Sequence, residues 1–384
     1  MDEQLSVDGV DFSAMGADDA LPARAFTSAE IYRLEIDRVF ARSWVVVADT
    51  TDLTRPGDFV AAHIGDTPVI TVRGEDGEIR TFLNACRHRG STLARGEGNC
   101  GRTLTCPYHA WSYGHDGRLV GIPDREEFSC DPRTMGLVPV RTGVAAPMVF
   151  ACLDSQAPDF QTWVGDLLPA LERAGGASMK RVYEFTYDVD VNWKVYVENG
   201  LEGYHVPFVH DMLDDFVETK SARHFLGEHG SRTHAFVKPE YAELAPAAPE
   251  LREDGRLFTV FGHTFPNLIP VISPLEFTYL RVDPLGPERI RLVARGFMCE
   301  PDAEIIELRK ESLDRTNGQD IAVVTRVQEG MHARGLPPSE HAAFLELRIR
   351  HFERMVVRAL TLDTKTSLAA AGPIKREERV RGAA

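Results

Sequence analysis

The residues that decide the interpretation of this chain are 84–111, which read NACRHRGSTLARGEGNCGRTLTCPYHAW. They contain the motif Cys86-x-His88 and, after seventeen intervening residues, the motif Cys106-x2-His109. Two thiolates and two imidazoles that meet from two loops make a metal site by their softness and number. A tetrahedral zinc ion would accept this set, and so would a [2Fe–2S] cluster with both thiolates on one iron and both imidazoles on the other. The remaining cysteines show no paired spacing; they are Cys100, Cys130, Cys152 and Cys299.

A second candidate metal site lies in residues 192–210, which read NWKVYVENGLEGYHVPFVH. Glu202 and His205 are three residues apart, so they would share one face of a helix predicted over 193–206. His210 is about 140° further round an ideal helix, but Pro207 would break or distort that helix and bring both imidazoles to one metal ion. With a carboxylate, the two histidines would form a facial triad with open positions, which suits Fe(II) and O2.

Spacing alone does not choose the carboxylate of this triad. One candidate, Asp320, is distant and lies in a helix predicted over 303–334. The near candidates follow His210 directly in the chain; they are Asp211, Asp214 and Asp215. A di-iron site is an alternative metal centre, because Glu-x2-His occurs twice, at Glu202/His205 and Glu329/His332. That alternative is disfavoured, because it needs four long helices and two further glutamates, whereas strands interrupt this half of the chain.

The patterning of the chain predicts an α+β protein in three parts. Residues 1–40 form an arm and a helix that a capping box opens, with Thr27 as N-cap and Glu30 returning to it. Residues 41–155 have the short strands and Gly-rich turns of an all-β module, including a hairpin whose turn is 74–77. Residues 156–384 alternate strands and helices. The strands are predicted at 182–191, 257–260, 277–282 and 289–297, and the helices at 193–206, 303–334 and 339–361.

Composition excludes several functional classes. The 384 residues carry 43 Lys and Arg against 58 Asp and Glu, a formal net charge of −15. Such an acidic chain would repel phosphates, so we expect no nucleic-acid binding. No apolar run approaches the ~20 residues of a membrane span, so we expect no membrane partner. The acidic N-terminus lacks a secretory pattern and the six cysteines are sparse, which favours a cytoplasmic location.

The motifs C-R-H-R-G and C-P-Y-H-A-W-S-Y resemble the two ligand loops of Rieske proteins. Both constellations, in this order, resemble the large (alpha) subunit of the Rieske non-haem iron oxygenases. The resemblance implies that Cys86 and Cys106 bind the inner iron of a [2Fe–2S] cluster, and that His88 and His109 bind its exposed iron. It further implies that His205, His210 and Asp320 bind a catalytic mononuclear Fe(II). Glu202 would be the bridging carboxylate.

The same resemblance implies a fold, an activity and partners. The fold would be an all-β Rieske domain plus a helix-grip (START-like) catalytic domain with an antiparallel sheet. The chain would be a terminal oxygenase that hydroxylates or oxidatively demethylates a small organic substrate with O2. Its electrons would come from NAD(P)H through a separate reductase, and in some members through a ferredoxin. Members of this length form homotrimers, in which electrons pass from the cluster of one subunit to the iron of its neighbour through His109, Glu202 and His205.

The substrate is less determined than the reaction. Many members of the family have Asp at the bridging position, whereas Glu202 resembles the choline-monooxygenase and carnitine-oxygenase branch. An aromatic substrate and a quaternary or methylated amine therefore both stay open. An aromatic-rich set could line the pocket: Phe208, Phe216, Phe225, Phe261, His263 and Phe265. A Rieske-type electron carrier and a zinc-stapled binding protein are alternatives from other classes, although an electron carrier needs no facial triad.

Overall fold

The structure is a computed structural model that describes residues 5–16, 19–165, 167–210, 217–239, 251–362 and 377–380. The chain divides into two compact units. We call Phe40–Ser155 the β unit, and Met1–Val39 together with Gln156–Ala384 the mixed unit. Among the helices that the structure describes, none is both long and apolar enough to cross a membrane.

The β unit contains two antiparallel sheets. The larger sheet has the strand order β3-β12-β11-β6-β5-β4-β7 and the smaller one β10-β9-β8, in which the strands are β3 (Val45–Asp49), β4 (Asp58–Ile64), β5 (Thr67–Arg73), β6 (Ile79–Leu83), β7 (Glu97–Asn99), β8 (Leu104–Thr105), β9 (Ser112–Tyr113), β10 (Leu119–Gly121), β11 (Pro139–Ala145) and β12 (Met148–Cys152). The predicted hairpin is confirmed as the β5–β6 pair, with Val72 opposite Arg80. The β-branched Val69, Ile70 and Val72 of β5 are all buried, and because successive strand residues point to opposite faces, this part of β5 is covered on both sides.

The mixed unit is built on one large antiparallel sheet with the order β13-β20-β19-β18-β17-β15-β14-β21, and β16 pairs with β17. The strands are β1 (Ser6–Val7), β2 (Val10–Asp11), β13 (Lys180–Val189), β14 (Val217–Leu226), β15 (Gly230–Val237), β16 (Arg252–Glu253), β17 (Arg256–Thr264), β18 (Leu268–Ile272), β19 (Phe277–Gly286), β20 (Arg289–Met298) and β21 (Glu377–Val380). The helices are α1 (Arg24–Thr27), α2 (Ala29–Arg38), α3 (Phe160–Val164), α4 (Leu167–Arg173), α5 (Trp193–Asn199), α6 (Val206–Val209), α7 (Ala303–Met331) and α8 (Leu347–Thr361). The predicted α+β class, with an antiparallel sheet beside helices, is confirmed.

The helix α8 closes the core of the mixed unit. Its buried stripe includes Phe352, Met355 and Ala359, as the periodicity predicts. The ring of Phe352 lies edge-on to Trp193 of α5 at a centroid distance of 5.6 Å. The helix begins at Leu347, however, so the prediction of a helix from residue 339 was wrong over its first eight positions.

The N-terminal helix α2 begins one residue later than the capping box predicts. Ser28 is the N-cap, and its hydroxyl accepts a hydrogen bond from the backbone N–H of Ile31 at 3.3 Å. Thr27 is the last residue of α1, whereas Ser28 has the extended backbone that an N-cap requires (φ −85°, ψ 124°). A Ser next to a Thr offers two equally good caps, and the preceding helix decides between them.

Candidate functional site

The loops around Cys86 and Cys106 form the same backbone turn twice. In the first loop, the Cys86 N–H donates to the Ser91 carbonyl at 2.8 Å, and the Cys86 carbonyl accepts from the Gly90 N–H at 2.8 Å. The second loop repeats both bonds at the same sequence separation: the Cys106 N–H donates to the Trp111 carbonyl, and the Cys106 carbonyl accepts from the Ala110 N–H. The fourth residue after each cysteine has a positive φ, 74° at Gly90 and 54° at Ala110. Only the first of these positions carries the glycine that such a turn favours.

The cysteines of the two loops are more deeply buried than the histidines. Cys86 and Cys106 are each 3% exposed, His88 is half-buried and His109 is exposed. The Nδ1 atoms of the two imidazoles lie 3.1 Å apart. Two buried sulfurs below two converging ring nitrogens fit a cluster with one inner and one outer iron.

Hydrogen bonds to the sulfurs support this arrangement. The Tyr113 hydroxyl lies 3.3 Å from Cys86 Sγ and accepts the backbone N–H of Arg87 at 3.0 Å, so its own proton is available to the sulfur. Burial raises the pKa of Cys86. Burial also opposes ionisation of Cys106, but the backbone N–H groups of Tyr108 and His109 outweigh it and lower the pKa of that thiol.

The segment from α5 to α6 carries the two histidines of the second constellation. The predicted helix over 193–206 is wrong beyond Asn199, because the chain turns at Gly200 and resumes a helix only at Val206. Pro207 stands in the first turn of α6, where its missing N–H costs no hydrogen bond, so it starts a helix instead of distorting one.

Three ligand-type atoms converge at this turn, and we call their residues the triad. His205 Nε2 lies 3.2 Å from His210 Nε2 and 3.4 Å from Asp320 Oδ1, and His210 Nε2 lies 3.2 Å from the same oxygen. Metal bonds of about 2.1 Å at right angles place neighbouring ligand atoms about 3 Å apart. Asp320 Oδ1 is buried and makes no well-aligned hydrogen bond. The triangle therefore fits three ligands on one face of an octahedral ion.

The outward nitrogen of each triad histidine has a partner. His205 Nδ1 contacts the Glu202 carboxylate, which also accepts the His205 backbone N–H at 3.1 Å. His210 Nδ1 lies 3.0 Å from Gln319 Oε1. These contacts place the proton on Nδ1 of each ring and leave the Nε2 lone pairs directed at one point.

The triad has an excess of negative charge that favours a cation. Burial lowers the pKa of His205, but the carboxylates of Asp320 and Glu202 outweigh it and raise that pKa to about 9. Burial would raise the pKa of Asp320, yet the imidazoles of His205 and His210 lower it. A divalent ion among the three ligands would take the place of the protons that these shifts favour.

Buried polar contacts anchor helix α5, which precedes the two triad histidines in the chain. Lys194 on α5 is fully buried and forms an ion pair with Glu35 of α2 at 2.5 Å, and Glu35 also accepts the Trp193 indole N–H at 2.8 Å. The backbone N–H of Asn192, the N-cap of α5, donates to Gln328 Oε1 at 2.8 Å. No local motif in the sequence signals these roles of Glu35 and Gln328.

The alternative metal centre does not form. In the described part of the chain, the ligand atoms of His205, His210 and Asp320 lie within 4.8 Å of one another, and neither Glu329 nor His332 joins them. His332 of the second Glu-x2-His motif instead contacts Glu288 at 2.7 Å. The near aspartates, Asp211, Asp214 and Asp215, lie outside the described residues.

The predicted pocket aromatics do not lie together. A cavity beside the triad, which we call the triad cavity, is lined by Glu202, Val206 and Phe261 among others. Phe225 and His263 line a different cavity of about 300 Å³. Of the other three candidates, Phe208 is 79% exposed, Phe265 is a core residue, and Phe216 lies outside the described residues.

Known protein families match the two segments of the chain that carry these residues. The Rieske [2Fe-2S] domain family matches residues 43–140, and the family described as the ring hydroxylating alpha subunit (catalytic domain) matches residues 177–362. The carnitine monooxygenase oxygenase subunit of Escherichia coli is 34% identical, over 88% of this chain and 93% of that protein. The chloroplastic choline monooxygenase of Arabidopsis thaliana is 29% identical, over 89% and 83%. A solved quaternary ammonium Rieske monooxygenase in complex with L-carnitine has a TM-score of 0.77 at 24% identity, and the match covers 90% of this chain and 97% of that one.

The chain therefore belongs to the Rieske non-haem iron oxygenases, as the alpha-type oxygenase subunit. It is an oxygenase whose cofactors are a Rieske [2Fe–2S] cluster and a mononuclear iron. It acts on a small molecule, and a separate electron-transfer partner supplies its electrons from NAD(P)H.

Proposed function

We propose that this chain hydroxylates or oxidatively demethylates a quaternary or methylated amine, with the triad as the iron site and Cys86, His88, Cys106 and His109 as the cluster ligands. The convergence of His205, His210 and Asp320 carries this proposal, because an electron carrier or a zinc-stapled binding protein has no use for a buried open triad. The choice of an amine rests on relatives that match nearly the full chain, carnitine and choline monooxygenases. An aromatic substrate is the second candidate.

The protein groups have defined tasks in this proposal. The bound Fe(II) supplies the site at which O2 is activated and the substrate is oxidised. Glu202 and Gln319 hold the two imidazoles neutral at Nε2 and fix their orientation. Asp320 supplies the anionic ligand, and its burial keeps water from competing for it. The protein thus contributes ligand geometry and a dry cavity.

We further propose that the chain works as a homotrimer in which Glu202 relays electrons between subunits. His109 is exposed, as a ligand that meets a neighbouring chain must be. Glu202 already holds His205 through one carboxylate oxygen. A contact with His109 of the next subunit would join the two metal sites through one carboxylate. Sedimentation analysis tests the trimer directly, and a monomeric active enzyme would contradict it.

The function is tested by turnover with NADH and a surrogate reductase. Two substrate panels are compared, methylated amines and aromatic acids, with O2 consumption and product mass as readouts. We expect product from the amine panel, coupled to O2 uptake, and none from an Asp320→Ala protein that retains its cluster. Product from the aromatic panel alone would replace the amine by the second candidate. An absence of O2-dependent product, together with stoichiometric zinc and no red-brown colour, would refute the oxygenase.

A further inference from the structure

The triad cavity has an unusual distribution of charge. Its volume is about 70 Å³. Glu202 and Val206, which flank the triad residue His205, line one part of it, and Arg348 of α8 lines another. Among its described lining residues, Glu202 and Arg348 carry the formal charges, and Glu202 is engaged by His205. The cationic Arg348 therefore lines the same cavity as Glu202, whose carboxylate contacts the triad residue His205.

Arg348 is buried without a counter-ion. Arg348 is 2% exposed. Its Nε donates to the Ser231 hydroxyl at 3.0 Å, and its Nη1 donates to the Thr233 hydroxyl at 3.2 Å. Nη2 is buried and makes no hydrogen bond, and no carboxylate of the described residues forms an ion pair with this guanidinium. Other arginines of the mixed unit differ in this respect; Arg281, Arg295 and Arg309 pair with Asp283, Glu184 and Glu276.

The neutral neighbours of Arg348 do not replace a counter-ion. His224 also lines the cavity and shares Thr233 with Arg348, with 2.8 Å between His224 Nδ1 and Thr233 Oγ1. Burial, together with the charge of Arg348, lowers the pKa of His224 to about 4, so this imidazole is neutral at pH 7. Burial lowers the pKa of Arg348 to about 9, which leaves the guanidinium protonated at pH 7. A buried cation of this kind is costly to the folded protein unless an anion joins it.

We propose that Arg348 binds the carboxylate of the substrate, and that this enzyme therefore acts on organic acids, betaine-type methylated amino acids first among them. The inference rests on the proposed function, since it assigns a specificity residue to the same cavity. An unpartnered guanidinium –NH2 next to two hydroxyl-bound donors offers a carboxylate a charge-assisted hydrogen bond. The bound acid would neutralise the cation, and its far end would lie toward the triad side of the cavity. Ser231 and Thr233 then act as positioning residues for the guanidinium.

The proposal is tested by calorimetric binding to the anaerobic holoenzyme, which needs no turnover. The probes are γ-butyrobetaine and benzoate. Each is compared with its primary amide, in which an uncharged amide group replaces the carboxylate. We expect at least one acid to bind the wild type at least ~10-fold more tightly than its amide. In Arg348→Met the acid should lose at least ~30-fold in affinity, as expected when one partner of a buried charge pair is removed, while the amide should change little. Arg354→Met is the matched control, because Arg354 is an exposed residue of the same helix.

The thermal unfolding of each variant is measured together with its binding. Removal of a lone buried charge should not lower the thermal midpoint of the ligand-free protein. If Arg348→Met does not fold, Arg348→Lys provides the test, since it keeps the charge but loses the planar fork, and it should bind the acid with intermediate affinity. Equal affinity for acid and amide, retention of acid binding in Arg348→Met, or no binding of either acid at millimolar concentration would each overturn the proposal. Turnover of choline-like substrates without a carboxylate would leave the oxygenase function intact and overturn only the role of Arg348.

Discussion

The two metal-binding regions of this protein are built on opposite plans. The cluster ligands all fall within residues 86–109, on two copies of one turn, and backbone N–H groups and a Tyr113 hydroxyl support them. The triad joins His205 and His210 to Asp320, more than a hundred residues away, and a buried ion pair anchors the helix α5 that precedes the histidines. A site made from local backbone turns is independent of the rest of the molecule. A site made from distant buried charges depends on all of its supports, so we expect perturbations to affect the triad first.

The largest expected contrast comes from removing the triad carboxylate. We predict that Asp320→Ala loses the catalytic iron and reduces turnover to background, because two imidazoles alone leave a buried cation without an anionic ligand. The red-brown cluster spectrum should persist. Iron content per acid-labile sulfide measures the loss, and Asp314→Ala on the same helix is the control. Full iron and full turnover in Asp320→Ala would show that another aspartate is the ligand.

The second largest effect is expected from low pH, which should destabilise the mixed unit before it affects the cluster. Burial lowers the pKa of four histidines of the mixed unit, to about 4 for His224, His229 and His351 and to about 3 for His263. Their pKa values in the unfolded chain are near 6.5, so the unfolded state binds more protons below that pH. Above pH 6.5 these histidines are neutral in both states and do not affect the free energy of unfolding. As pH falls from 6.5 toward 4, protonation in the unfolded state lowers that free energy. Each can cost up to about 1.4 kcal/mol per pH unit.

Denaturation followed by near-UV circular dichroism at several pH values measures this loss in the mixed unit, while visible circular dichroism follows the cluster. We expect the catalytic iron and the near-UV signal to be lost before the cluster signal. His229→Phe, which keeps a ring against Trp163, should reduce the pH dependence by about one proton. A free energy of unfolding that is constant between pH 6.5 and 4.5 would contradict the prediction.

The buried ion pair between Lys194 and Glu35 should contribute more to stability than any surface pair. Glu35→Gln leaves Lys194 fully buried without its carboxylate, and we predict a loss of about 3–5 kcal/mol in the free energy of unfolding. Urea denaturation measures it. Glu35→Leu combined with Lys194→Met should recover most of the stability, because neither charge of this pair is then left buried without its partner. Asp76→Asn, at the surface pair with Arg80, is the control and should leave stability unchanged.

A smaller effect is expected from the carboxylate that holds His205. Glu202→Gln keeps the volume and removes the charge, so both metal sites should still fill. We predict that oxidation of the pre-reduced cluster becomes at least ~10-fold slower in a single turnover with substrate and O2, on the scale of outer contacts at metal sites. Unchanged rates would refute the relay role. Loss of iron would instead identify Glu202 as a ligand.

The smallest effect should be in the β unit. Tyr113→Phe removes the hydroxyl proton from Cys86 Sγ, and with it a hydrogen bond that stabilises the reduced cluster. One neutral hydrogen bond of about 0.5–1.5 kcal/mol corresponds to a potential about 20–60 mV lower for one electron. Redox titration followed by electron paramagnetic resonance measures it, with Tyr108→Phe as the control. A higher potential would show that the hydroxyl does not donate to the sulfur.

The contrast between the two regions also explains what the sequence could predict. The cluster ligands follow from spacing because Cys86 and Cys106 each begin a closed turn within five residues. Asp320 could be reached only through resemblance, since nothing local distinguishes it from Asp211. The break after Asn199 was missed although Gly200 and Gly203 mark a turn there. Four strands of the mixed unit (β13, β17, β19 and β20) were predicted from local apolar patterns, whereas β14, β15 and β18 were missed. The unpaired Arg348 is visible only when its surroundings in space are known.

The long helix α7 sets a constraint on insertions and deletions. It carries Asp320 in the triad and, eight residues later, Gln328, which holds the start of α5 through Asn192. These positions are about 12 Å apart along a straight helix, and one inserted residue would rotate one of them by about 100° relative to the other. A regular α-helix does not absorb that rotation, and a π-bulge that did so would distort the helix between the two positions. Length changes should therefore be tolerated in the mostly exposed segment 332–346, whereas the eight-residue interval from Asp320 to Gln328 should be invariant in length.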